Sequence, residues 1–242
     1  MMTHSLFRIC FWLLAALPLA AQDGPGGQTE RESGRLAWFA LTAMPEGMEN
    51  PVKVMAGGEI TEVELDPYMA SGPVKIPTDG IIRIVREAPD SADPEKTRHL
   101  VLAKAEIPGN VRQTLIILAP LPKPSGDLLF HAKVQDLASF KGGDRLFINL
   151  SDTNIGVKIG DTPVAVPAKR SNIYSAPKLA EATNMPIIYS YYHPERNKWK
   201  LLTASTVVIM PSRREICIFN NGARLGKIKR HKILFPVGVP TP

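Results

Sequence analysis

Residues 52–63 read VKVMAGGEITEV and residues 157–166 read VKIGDTPVAV. In both, β-branched residues alternate with polar ones on either side of a pair containing glycine. That is the local signature of two antiparallel strands joined by a tight turn. A chain that writes nearly the same hairpin twice invites a search for a longer repeat. RLAWFALT (Arg35–Thr42) matches DRLFINLS (Asp144–Ser151), placing Leu41 against Leu150. GIIRIVRE from Gly80 matches PIIYSYYH from Pro186, placing Ile81 against Ile187, and LVLAKAEIPGNVRQTLIILAP from Leu100 matches LLTASTVVIMPSRREICIFNN from Leu201. Each match is weak alone, but all recur in the same order with slowly drifting spacing, as a duplication with small loop changes would produce.

The fold class expected from this pattern is all-β: two tandem, internally duplicated β-sandwich domains. The first covers residues 35–137 and the second residues 143–235, with the short linker ASFKGG between them. Val63 and Leu65 alternate with Glu62 and Glu64, and Val157 and Ile159 flank Lys158, as in strands with one buried face. TLIILAP and TVVIMP are continuously apolar and stopped by proline, which predicts central strands covered on both faces. Asn221-Gly222 between two apolar runs predicts a tight hairpin, and much of the proline, 22 residues in all, marks strand ends and loops. The one stretch with a helical reading is APKLAEATN, from Ala176 to Asn184, with Ser175 as its N-cap. The count comes to about seven short strands per unit, that of an immunoglobulin-like sandwich.

The tandem layout and the stretch FINLSDTNIGVKIG resemble those of uncharacterised secreted bacterial proteins built from paired immunoglobulin-like or cupredoxin-like sandwiches. The resemblance implies a fold and an exported location, and it supplies no functional residues.

The N-terminus agrees with export. MMTHSLFR precedes the apolar run Ile9–Leu17, followed by Pro18 and the small residues Ala20-Ala21, the order of a secretory signal peptide cleaved after Ala21. That run is shorter than the ~20 residues a membrane span needs, and no later segment is long and apolar enough either. Residues 22–34, QDGPGGQTERESG, contain no large apolar side chain to offset the entropy of ordering, and read as a flexible leader. The formal charge of +6 drops by one with loss of Arg8. This mild basicity lacks the clustered footprint of a nucleic-acid binder. Cys10 leaves with the signal peptide, so Cys217 has no partner in its own chain; set between Ile216 and Ile218, it reads as a buried small hydrophobe.

Familiar catalytic patterns do not appear. A blue-copper site needs two histidines, a cysteine and an axial methionine, but Cys217 is followed by no histidine before His231 and by no methionine. The histidines at His4, His99, His131, His193 and His231 have no metal-ligand spacing. SAPK (Ser175–Lys178) fits the S-x-x-K pattern of penicillin-binding enzymes, yet the S-D-N and K-T-G elements are missing. No catalytic residue, cofactor or metal is therefore expected. Two surfaces remain as candidates. In IIYSYYHPERNKW, Tyr189 and Tyr191 fall on the core face, while Tyr192 and Trp199 either cover a strand edge or stack on a sugar ring. RLGKIKRHKILF carries Arg224, Lys227, Lys229, Arg230 and Lys232 among apolar residues, as a protected edge strand or as a contact for an anionic envelope polymer. Tyr192, Trp199, Lys227, Lys229 and Lys232 are the expected ligand or partner surface. The expected function is a secreted or periplasmic, non-catalytic structural or protein-interaction module of the cell envelope; the alternative is a glycan- or small-ligand-binding module. The expected partner is an envelope protein or an anionic polysaccharide.

Overall fold

A computed structural model describes residues 34–90, 96–222 and 227–237. The expected signal peptide and almost all of the expected leader lie outside them, as does Arg224. The described chain is all-β. Its strands are β1 (Leu36–Leu41), β2 (Val52–Ala56), β3 (Glu59–Val63), β4 (Val74–Lys75), β5 (Ile81–Pro89), β6 (Thr97–Glu106), β7 (Gln113–Ser125) and β8 (Leu128–Asp136). They continue as β9 (Arg145–Asn149), β10 (Ile155–Ile159), β11 (Thr162–Val166), β12 (Ser171–Tyr174), β13 (Thr183–His193), β14 (Lys198–Ile209), β15 (Arg213–Asn221) and β16 (Ile228–Pro236). No helix among the described residues is long and apolar enough to cross a membrane.

Both opening hairpins form. β2 pairs with β3 from Val52↔Val63 to Ala56↔Glu59, across Gly57 and Gly58 at φ +61° and +90°. Positive φ at both central residues is the type I′ requirement, which is why two glycines stand there. β10 pairs with β11 from Ile155↔Val166 to Ile159↔Thr162, turning at Gly160 with φ +55°.

The strands make four sheets, in the orders β4-β1-β7-β8, β3-β2-β5-β6, β12-β9-β15-β16 and β11-β10-β13-β14. Adding eight to every strand number of the first two orders gives the last two. The parallel pairing of β1 with β7 recurs as β9 with β15. Even the register shift recurs, between Ile84 and Val85 in β5 and between Tyr189 and Ser190 in β13.

Three cores separate the sheets. Phe39, Leu41, Ile116 and Leu118 pack against Val54, Ile82, Ile84 and Leu102. Phe147, Cys217 and Phe219 pack against Val157, Ile159, Ile187 and Tyr189. Between these lies a third, in which Leu36, Trp38, Leu115 and Ile117 meet Leu146, Ile148, Ile216, Ile218 and Phe235, with Trp38 edge-on to Phe235 at 5.8 Å between ring centroids. The stacking runs β3-β2-β5-β6, β4-β1-β7-β8, β12-β9-β15-β16, β11-β10-β13-β14. Every residue of β1 and of β9 is buried because the two inner sheets are covered on both faces. At about 1.5–3 kcal/mol for each large apolar side chain fully buried, those strands anchor the stack.

Several sequence readings need correction. Ala176–Asn184 is not a helix: the Ala176 amide donates to Asp144 Oδ1, and Thr183 and Asn184 already belong to β13, opposite Ile209 and Val208. The TVVI of TVVIMP ends the edge strand β14, with Thr206 and Val208 exposed, whereas TLIILAP in β7 is covered on both faces from Thr114 to Leu118, as expected. Asn221-Gly222 opens a longer connection closed by the Gly222 amide on the Lys227 carbonyl, because Asn221 pairs with Ile228. Each half contributes eight strands where about seven were expected. The match of Ile81 to Ile187 is out by one residue, since the register shifts after Ile84 and after Tyr189 set Ile82 against Ile187, and so is the match of Leu41 to Leu150. Trp38 faces Leu115 and Leu146 faces Ile216, so Trp38 corresponds to Leu146, and a one-residue slip would put it on the wrong face.

Candidate binding surfaces

The outer face of β11-β10-β13-β14 carries the aromatic candidates. Tyr192 and Trp199 are directly opposed on β13 and β14, with their rings edge-to-face at 5.7 Å. The Tyr192 hydroxyl donates to Asn197 Oδ1, which pins the phenol over the turn. The indole is 52% exposed and lies across the neighbouring strands. A Cβ on Gly156 would stand 3.3 Å from Trp199 Cζ3, so the missing side chain makes room for the ring. Leu201 and Ile188 extend the apolar face, at 66% and 42% exposed. Tyr189 and Tyr191 point inward and are buried, as the alternation predicts.

The basic candidates lie elsewhere. β6 and β8 pack along each other and close one edge of the first sheet pair. β14 and β16 hold the same places in the second pair and are not brought together in this way, leaving a seam between the sheets. Lys232 and Arg230 pair with Cys217 and Phe219, both of which face the core, so these two cations point into the seam. The Arg230 guanidinium lies 4.4 Å from the centroid of the Tyr189 ring. From β14, Lys200 pairs with the core-facing Tyr191; burial and the neighbouring Arg196, Lys198 and Lys227 hold its ammonium below the ordinary lysine range. Lys229, opposite Asn220, sits on the other face of β16. The expected surface therefore divides into an aromatic face with Tyr192 and Trp199, a seam with Lys227 and Lys232, and Lys229 apart from both.

Beneath the seam is a buried ion pair that the sequence reading missed. Arg145 on β9 and Glu215 on β15 are register partners and bond side chain to side chain, each about 95% buried. Lys232 Nζ stands 3.7 Å from the other carboxylate oxygen. Arg145 Nη2 also reaches the Val208 carbonyl at 3.3 Å. The available signal was two opposite charges, in DRLFINL and REICIF, each opening an otherwise apolar strand. Beside the pair, burial raises the Cys217 thiol to about 12 and pushes the Tyr189 phenol up as well. The Tyr189 hydroxyl approaches the Cys217 sulfur, but no partner meets it with hydrogen-bonding geometry. Such a thiol stays protonated and unreactive near neutral pH.

Two clefts lie apart from these surfaces. One, of about 680 Å³, is lined by Ser175, Lys178 and Asp144. The Asp144 carboxylate there accepts the amides of Lys141 and Ala176 at 2.7 and 2.9 Å, and nothing among the described residues joins Ser175 to Lys178. The other, of about 770 Å³, is lined by Glu46, Glu49, Glu62 and Glu87 together with Lys53 and Arg86, with Lys53 bonded to Glu87 at 2.7 Å. Among the described residues, no three His, Cys, Asp or Glu side chains gather closely enough to hold a metal ion. Compared with known proteins, the chain matches no family model and no curated protein.

Proposed function

We propose that the protein is an exported, non-catalytic structural or protein-interaction module of the cell envelope. It is released by cleavage after Ala21 and built from two duplicated, immunoglobulin-like sandwiches over residues 35–137 and 143–235. The recurrence of strand order, parallel pairing and bulge position supports the duplication. The observation that carries the function is the seam. Lys200, Lys227 and Arg230 converge there with no acidic partner among the described residues, and the one nearby carboxylate, Glu215, is already held by Arg145 and Lys232. Uncompensated cations at an open edge suit an anionic partner. Replacing Lys200, Lys227 and Arg230 by glutamine should leave folding intact and weaken retention of the protein on its own envelope fraction at low ionic strength, with Lys229→Gln much milder. Unchanged retention of the triple variant would reject the reading. A glycan-binding module is the second reading, favoured by the exposed Trp199 over Gly156; it requires that Trp199→Ala abolish retention while the charge variants do not.

A further inference from the structure

Every sheet here ends in two edge strands, and exposed edges template unwanted pairing unless they are blunted. β3 carries Glu59 and Glu62, β11 carries Pro163, and β16 carries Lys229, Arg230 and Lys232. β4 and β12 are short, at two and four residues, and β6 and β8 cover each other. β14 is the exception beyond its charged start at Lys198 and Lys200. From Leu201 to Ile209 it carries neither charge nor proline, and most of its side chains are exposed or half-exposed.

We infer that the free edge of β14 accepts an extended peptide strand from a partner, with acidic side chains at alternate positions entering the seam against Arg230, Lys200 and Lys232. This rests on the binding function proposed above and names its partner.

The backbone is oriented for it. Pro186 lies opposite Thr206, and its carbonyl accepts the Gly160 amide at 2.8 Å on the β10 side. The backbone groups of Pro186 therefore face away from β14, so those of Thr206 face away from β13, onto the free edge. Antiparallel alternation puts the groups of Ala204 and Val208 on the same side. Only the Val208 carbonyl is taken among the described residues, by Arg145. The remaining amides and carbonyls form the ladder that strand addition uses.

The side chains set the chemistry. Thr203 and Ser205 pair with the core residues Tyr189 and Ile187, so they face the seam, and Arg230 sits over the ring of Tyr189. A strand added to β14 turns every second side chain toward those cations. Carboxylates answer them. A second copy of this chain is the poorer fit, because an antiparallel β14 pair would add the second copy's Lys198 and Lys200 to an already cationic edge.

The test uses the mature chain and a labelled, end-blocked decapeptide of alternating glutamate and valine, read by fluorescence anisotropy, with the lysine–valine counterpart as control. The glutamate peptide should bind and the lysine peptide should not. Thr206→Pro removes one edge amide without touching the β13 ladder, a placement edge strands tolerate, and should weaken binding at least about tenfold; Thr206→Val should not. Arg230→Gln should weaken binding at low salt, with the difference fading near 1 M, where screening acts within about 3 Å. Should Thr206→Pro impair folding, the same peptide N-methylated at alternate residues gives the same reading on the unaltered protein. Binding that ignores both Thr206→Pro and N-methylation would overturn strand addition and leave the cationic surface standing. So would a dimer of the protein that Thr206→Pro dissolves, since the edge then belongs to a second copy. No binding of the glutamate peptide also overturns it, while envelope retention reports separately on the function proposed above.

Discussion

The two sheet pairs share one strand order and differ at one edge. Where β8 sends Phe130, Ala132 and Val134 toward the first outer core, β16 sends Ile228, Arg230 and Lys232 toward the second. Where β6 offers Ala103 and Ala105 opposite Ile84 and Ile82, β14 offers Thr203 and Ser205 opposite Tyr189 and Ile187. Apolar residues on both strands draw β6 and β8 together, because bringing them together removes apolar surface from water. Cations and hydroxyls on the other edge would lose hydration by closing, so that seam stays open. The same topology closes or opens an edge according to a handful of side chains.

The contrast is sharpest at one register pair. Ala37 and Thr114 are partners between β1 and β7, and Arg145 and Glu215 take that place between β9 and β15. Arg145→Ala leaves the buried Glu215 carboxylate without its main partner and should cost about 3–5 kcal/mol in chemical denaturation. The double change Arg145→Ala, Glu215→Thr installs the residues of the first half and should recover much of that loss. A double variant as unstable as the single one would mean that the ion pair is not what separates the halves.

Exchanging the edges should give the next largest effect. Val134→Lys forces an ammonium against the partly buried first edge and should cost about 2 kcal/mol. Lys232→Val, at a side chain 44% exposed, should cost less than about 1 kcal/mol. Equal costs in thermal or urea unfolding would show that the first edge is no more tightly packed than the second.

Cys217 corresponds to Ile116 across the halves, and only Cys217 titrates. Its folded value, pushed up to about 12, lies above the roughly 8.5 of a free thiol. Between those values the unfolded chain loses a proton that the folded chain keeps. Stability is then complete below about pH 8.5 and falls as pH rises, by up to about 1.4 kcal/mol per pH unit. Tyr189 adds to the fall at higher pH, its phenol being raised in the same sense. Cys217→Val should move the onset of alkaline unfolding upward. A thiol reagent should label the native protein slowly and the denatured protein fast; rapid native labelling would mean the strand opens readily.

Much of this was legible in the sequence for physical reasons, and much was not. Hairpins are local, so Gly57-Gly58 and Gly160-Asp161 announced themselves. The apolar run in β7 read correctly as doubly covered, and Cys217 as buried between isoleucines that turn the other way. TVVIMP misled because a continuous β-branched run looks the same in a central strand and in an edge left open for another chain. APKLAEATN misled because helix propensity carries no information about the Asp144 carboxylate waiting for the Ala176 amide. The seam was unreadable: Lys200, Arg230 and Tyr189 come from three strands, and only the register brings them together.

The outer faces offer the finest comparison. In the first half Lys53 and Glu87 pair at 2.7 Å on the face of β2 and β5, and His99 lies opposite Glu87. At the corresponding places the second half has Gly156, Tyr192 and Trp199. One outer face is charged and the other aromatic. Gly156→Ala would set a methyl 2.8 Å from Ser190 Oγ and 3.3 Å from Trp199 Cζ3. Both obstacles are ends of rotatable side chains, so they move, and the change in stability should stay within about 0.5 kcal/mol. The indole should nevertheless leave its seat over β10 and become easier to quench with acrylamide, against the constant background of buried Trp38. If polysaccharide retention then falls in Gly156→Ala and Trp199→Ala while Arg230→Gln retains it, the aromatic face is the binding surface and the seam is not. If retention follows Arg230 and ignores the indole, the open edge is what separates the second half from the first in function as well as in packing.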